Sequence, residues 1–258
     1  MLTRGADLPV RITQFVVALA QLATPAIAFP GGFDAATGAS LQPAADPNPA
    51  SPAGFAFAIW GPIFLGAVIA AMLQLGGRRA ADPGFAAARP LCIAGYALSI
   101  AWMFAASRLP WATVPIIVAM LVTLGGALVA MADRRRQRDT VADALIVTPL
   151  ALYVGWLTAA TFVNAADVLP RYAPGAAIGG TMLGIAVLLG ASLTALWFTR
   201  RLRGLLGYAA AVVWALLGIV AANLAPTPNW PIVATAVAAA LLVGFATVRA
   251  RSRQGADR

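Results

Sequence analysis

The chain has 258 residues, 61% apolar and only 10% charged, with a formal net charge of +9, whereas soluble domains carry roughly 25% charged residues. That composition points to a membrane protein. The 18 basic residues are all Arg and the 9 acidic ones all Asp, with no Lys, Glu or His. Lack of His excludes His-based triads, Glu-x-x-His metal sites and imidazole haem ligands. The single cysteine, Cys92, excludes an intrachain disulfide and a CxxC motif. No metal, cofactor or enzymatic activity is therefore expected. The basic excess points to an anionic membrane leaflet and not to nucleic acid.

A spanning helix needs about 20 apolar residues. The uncharged stretches between consecutive charges predict eight, at about 12–29, 53–75, 91–107, 112–132, 144–165, 177–198, 205–224 and 231–248. The last two share one long uncharged run, broken by Pro226, Pro228, Asn229 and Pro231. Loop 30–52, rich in Pro, Gly and Ala, is the longest external connection. Residues 1–28 carry two Arg, an apolar stretch and the ending Ala26-Ile27-Ala28, as a signal peptide does; they are expected to be retained as the first span. With the N-terminus inside, all Arg except Arg108 and Arg171 fall in cytoplasmic segments, as Arg-rich connections do. Both termini are thus expected in the cytoplasm, and the runs Arg134–Arg138 and Arg200–Arg203 act as topology signals. All-Arg usage with abundant Ala and Gly suggests a GC-rich bacterial genome and a multi-pass protein of the bacterial cytoplasmic (inner) membrane.

Every Asp is placed in a loop or at a helix end, so no carboxylate is expected at membrane depth to couple transport to protons or sodium. The spans hold aromatic residues instead. Trp111, Trp197 and Trp230 sit at predicted helix ends, the usual place for an interfacial belt. Trp60, Trp102, Trp156 and Trp214 lie deeper, in the outer half. Phe57, Trp60 and Phe64 share one helical face by spacing, as do Tyr153, Trp156, Ala160 and Asn164. Two such faces either pack a bundle or line a pocket for a flat hydrophobic ligand, with the Tyr hydroxyl and Asn amide orienting it. The pattern alone leaves both readings open. Asn164 and Asn223 equally suit interhelical hydrogen bonding. Gly180–Gly184 offers a GxxxG contact. Gly95-Tyr96-Ala97 with Trp102 recurs 112 residues later as Gly207-Tyr208-Ala209 with Trp214, a faint parallel repeat.

Two stretches resemble the tryptophan-rich sensory protein and translocator protein (TspO/MBR) family. Residues Pro52 to Phe64, with Trp60 four before Phe64, are similar to the family's Pro-rich loop running into its second helix. Residues Tyr153 to Asn164, with Trp156 three after Tyr153 and Asn164 eight beyond that, are similar to its fifth helix. Trp102 resembles a third-helix Trp of the family. The chain departs from the family pattern at Gly54, where a loop Trp is usual, and at Phe64, where a Tyr is usual.

The resemblance implies an all-α integral membrane protein of eight transmembrane helices with a five-helix core at 1–166. Three additional helices at 167–248 and an Arg-rich tail at 249–258 complete the expected organisation. It further implies a sensor or translocator that binds a tetrapyrrole-like ligand through Trp60, Trp102, Trp156, Tyr153, Asn164, Phe57 and Phe64. Expected partners are membrane lipid and a porphyrin or similar hydrophobic small molecule; homodimerisation is left open. The alternative is a multi-span transporter of a small hydrophobic or neutral solute, favoured by the extra spans and the faint repeat.

Overall fold

A computed structural model describes residues 7–29, 48–134, 140–172, 180–224 and 227–256. Most of the predicted external loop lies outside them, as do Arg4, Arg135, Arg136, Arg138 and Arg258. In chain order the elements begin with α1 (Leu8–Ala28), a 3-10 helix (Gly54–Ile59) running into α2 (Trp60–Leu73), and the short α3 (Gly77–Ala80). There follow α4 (Pro83–Arg108), α5 (Pro110–Arg134), α6 (Thr140–Tyr172), α7 (Gly180–Arg201), α8 (Leu206–Ala222) and α9 (Trp230–Ala256). The described residues hold no strand. Seven helical stretches are long and apolar enough to cross a membrane, and α8 is a shorter apolar helix of 17 residues. The protein is an all-α membrane protein.

Two boundaries differ from those expected from charge spacing. The second span opens as a 3-10 helix because Pro62 has no N–H to give the Ala58 carbonyl, and the preceding turns tighten. The third begins at Pro83, eight residues before the predicted 91. Asp82 caps it, its Oδ1 accepting from the Gly84 and Phe85 backbone N–H groups at 2.8 and 3.0 Å, with Pro83 in the first turn. Arg89, expected in a loop, is therefore a helical residue and fully buried.

The outside is apolar. Val122, Leu193, Leu241 and Phe245 are among many large exposed hydrophobic residues, which suits contact with lipid tails. Helix α1 shows the same inversion on one element. Arg11, Gln14, Ala18, Gln21 and Thr24 recur every three or four residues and are buried, while Ile12, Val16, Leu19 and Ile27 face out.

Packing divides the helices into two groups. Helices α1, α2, α6, α5 and α4 contact one another in that cyclic order and close a ring. The other three form a wing: α7 and α8 pack on α6, and α9 packs on α7 and α8. Ring and wing meet backbone to backbone at Gly155. A Cβ there would stand 2.5 Å from the Tyr208 carbonyl oxygen and 2.8 Å from the Ala211 Cβ, so only glycine fits.

The two ends of the bundle are pinned differently. At the Arg-bearing end, Arg201 grips Asp133 through both carboxylate oxygens, joining the ends of α5 and α7. Between α7 and α8, Arg203 and Gly204 both adopt positive φ, and a Cβ at Gly204 would strike the Thr247 carbonyl of α9. At the opposite end, Asn223 donates to the Pro49 carbonyl at 2.7 Å and Asn229 to Thr181 Oγ1 at 3.0 Å. Neighbouring helices thus run alternately up and down. Gly180 and Gly184 do not form a helix-pairing motif: Gly180 opens α7 at φ +60° with none of the described residues near it, and only Gly184 is close to α9, at Ile232.

Candidate functional site

The ring gathers five aromatic side chains of the two predicted faces. Trp60 lies 5.0 Å from Phe64, 5.7 Å from Tyr153 and 6.0 Å from Trp156, measured between ring centres. Phe57 meets Trp156 edge-on at 5.5 Å, and Phe64 meets Tyr153 at 6.1 Å. These mostly edge-to-face contacts set the positive rim of one ring against the negative face of the next. The 3-10 start of the second span places Phe57 so that it reaches Trp156 while Trp60 reaches both Tyr153 and Trp156. From α4, Tyr96 adds a sixth ring, stacked nearly parallel on Tyr153 at 6.4 Å.

A polar group crosses the ring beside these rings. Gln21 of α1 donates its amide N–H groups to Tyr153 Oη at 2.6 Å and to Ser99 Oγ at 3.0 Å. It ties α1, α4 and α6 together at the level of the aromatic cluster. Several other buried polar atoms in the ring have no hydrogen-bond partner among the described residues. They are the indole N–H groups of Trp102 and Trp156, the carbonyl oxygens of Gln14, Gln21 and Asn164, and the Thr161 hydroxyl. Buried polar groups are usually paired, so these atoms stand out within the ring.

Trp102 and Asn164 stand apart from the five. Trp102 is half-buried on α4, and among the described residues no ring contact links it to the cluster. Asn164 is buried two turns beyond Trp156, near the end of α6. Trp214, the fourth deep tryptophan, belongs to the junction with the wing. Its indole donates to the Ala56 carbonyl at 2.8 Å and its ring meets Phe55 edge-on, pinning the 3-10 helix to α8. The faint repeat is not matched by equivalent roles. Tyr96 stacks on Tyr153 whereas Tyr208 shares a 3.0 Å hydrogen bond with Thr158, and Gly95 abuts α5 whereas Gly207 abuts α6.

A model of the TSPO-like protein family matches residues 11–249. The chain belongs to that family. No curated protein and no solved structure matches it. The TSPO-like match extends past residue 166 through α7, α8 and α9, so the family pattern takes in the wing as well as the ring.

Sequence reasoning missed three parts of this TSPO-like site. Gln14 and Gln21 carry no charge and so left no mark on a count of charges, yet with Arg11 and Thr24 they trace a polar stripe at helical spacing on α1. Ser99 and Tyr96 lie one turn apart on α4 and were passed over in favour of Trp102. Arg89 closes the Arg-bearing end of the ring. It donates to Asp7 at 2.5 Å, to the Arg79 and Ala80 carbonyls at 3.1 and 2.7 Å and to Gln74 Oε1 at 3.4 Å. Arg11 donates to the Leu75 carbonyl at 2.5 Å beside it. Outside the ring, an apolar groove of about 400 Å³ lies between α2, α6 and α8, lined by Ala58, Ile59, Pro62, Leu152, Ala210, Ala211 and Trp214.

Proposed function

We propose that this protein is a membrane sensor or translocator that binds a flat hydrophobic ligand of tetrapyrrole type inside the five-helix ring. One observation carries the reading: a cluster of five aromatic rings adjoins buried polar atoms, including the Trp156 indole N–H, that have no partner of their own. Stacking on Trp60, Trp156, Phe57 and Phe64 would supply about 0.5–1.5 kcal/mol per aromatic pair beyond simple burial. Tyr153, Asn164 and Trp102 would orient the ligand's polar edge. Among the described residues no carboxylate stands at the cluster, and binding without chemistry is the proposed activity. The apolar groove beside α2 and α6 offers an approach from the bilayer. The Arg-bearing end faces the cytoplasm of a bacterial cell in this reading, with the cluster toward the outer leaflet.

The test is tryptophan-fluorescence quenching of detergent-purified protein by protoporphyrin IX, with inner-filter effects controlled. Saturable micromolar quenching is expected, with the Kd rising about tenfold in Trp156→Leu, equivalent to about 1.4 kcal/mol, and less in Tyr153→Phe. Linear quenching, unchanged in both variants, would return these rings to plain packing. A transporter is the second reading, favoured by the polar stripe of α1 that runs from Arg11 to Thr24 through the ring. Uptake of a neutral hydrophobic solute into proteoliposomes separates the two.

A further inference from the structure

The arginines of the Arg-bearing end are used in two ways. In the ring, Arg11 and Arg89 turn inward and are buried, bonded to Asp7, Gln74 and backbone carbonyls. In the wing, Arg200 near the end of α7 and Arg249, Arg251 and Arg253 near the end of α9 are exposed, and among the described residues no ion pair engages them. Arg201 beside them holds both oxygens of Asp133. The last carbonyls of α7 do not need these side chains either. Backbone N–H groups of Leu202, Arg203 and Gly204 return to the carbonyls of Phe198, Arg200 and Thr199 at 2.7, 3.1 and 2.8 Å. The same turn rests on α9: a Cβ at Gly204 would lie 3.0 Å from Arg251 Cγ and 3.3 Å from Ala250 Cβ.

Depth and pattern say what these cations face. Helices α7 and α9 start level with each other, where Asn229 bonds Thr181. A span of about 20 residues counted from Gly180 ends at Thr199, and one counted from Trp230 ends at Arg249. Arg200 and Arg249 thus reach the edge of the hydrocarbon, the level of lipid phosphates. Each stands above an apolar stripe at helical spacing: Leu193 and Trp197 below Arg200, and Leu241, Phe245 and Val248 below Arg249, all more than half exposed. A soluble acidic partner would answer the charge and leave the stripes unmatched, whereas a phospholipid answers both. A zwitterionic lipid brings its own cation to the unpaired arginines; an anionic one does not. We infer that this end of the wing binds anionic phospholipid, with phosphates pairing with Arg200 and Arg249 and acyl chains lying along the stripes beneath them. The guanidinium fork suits a phosphate. Arg251 and Arg253, further out on α9, add attraction toward an anionic surface.

The test reconstitutes the full-length protein into phosphatidylcholine vesicles doped either with brominated phosphatidylglycerol or with brominated phosphatidylcholine, the bromines near the top of the acyl chain. Both leaflets have the same composition, so the direction of insertion does not matter. Trp197 lies one turn below Arg200, and its quenching is read as the difference between the wild type and Trp197→Phe. Brominated phosphatidylglycerol is expected to associate about fivefold more strongly than brominated phosphatidylcholine, as for roughly one arginine at an anionic surface. Arg200→Gln combined with Arg249→Gln is expected to abolish the preference, and Arg108→Gln, at the opposite end of the bundle, to keep it. Inorganic phosphate, compared with chloride at equal ionic strength, is expected to leave it unchanged. Equal quenching by the two lipids in the wild type overturns the inference, and this arm needs no Arg variant to fold. A preference that survives the double Arg variant also overturns it. A preference erased by inorganic phosphate but not by chloride overturns it in favour of a soluble phosphate ligand.

Discussion

The ring and the wing are built from the same few residue types but spend their polar groups differently. In the wing, Asn223, Asn229 and Arg201 all sit at helix ends, and each has its partners. They fix where helices stop and which ends meet. In the ring, Gln14, Gln21, Trp102, Trp156, Thr161 and Asn164 hold polar atoms within the span that lack partners, against Thr199 alone among the described wing residues. A membrane interior gives no water to satisfy such atoms. The wing therefore has the economy of a scaffold, and the contrast is what the proposed ligand-binding reading of the ring rests on.

Four substitutions probe this contrast through stability, measured by thermal unfolding in detergent. The largest effect is expected at the closed end of the ring. Arg89→Met leaves the Asp7 carboxylate and two backbone carbonyls without their donor and should cost about 3 kcal/mol, the low end for breaking a buried ion pair because Asp7 is partly exposed. Arg201→Met at the exposed end of the wing should change stability little; equal losses at the two sites would erase the distinction between them. Next, Gly155→Val overpacks the junction of ring and wing against the Tyr208 backbone and should cost about 2 kcal/mol. A loss of about 1 kcal/mol is expected for Trp214→Phe, which removes one hydrogen bond to Ala56 and keeps the ring near Phe55.

Much of the helical framework was legible in the sequence, because charge and turn residues punctuate a chain whose spans carry so few charges. The same economy produced the errors. Counting charges as boundaries moved the start of α4 past Arg89, although Asp82-Pro83 spells a helix start in the ordinary way. A helix carrying a buried cation can only be recognised once Asp7, Gln74 and the α3 carbonyls are seen to surround it, and those come from separate parts of the chain. The aromatic cluster was legible because Phe57, Trp60 and Phe64 on one helix and Tyr153 and Trp156 on another each keep a helical spacing. Which of the deep tryptophans join it was not, since Trp60 and Trp214 differ only in what their neighbours offer: Tyr153 and Trp156 to one, the Ala56 carbonyl and Phe55 to the other. Gln21 was invisible for a related reason, as its role exists only where α1, α4 and α6 meet.

The claim at the centre of this account is that a flat ligand enters the ring and not the wing or the lipid-facing surface. Covalent mapping tests it most directly: a flat aromatic diazirine is photolysed with the purified protein, with and without excess protoporphyrin IX, and the labelled peptides are identified by mass spectrometry. The account predicts label on α2 and α6 around Trp60 and Trp156, suppressed by protoporphyrin IX. Label confined to α7 and α9, or spread over exposed residues such as Leu193 and Leu241 and indifferent to competitor, would contradict it.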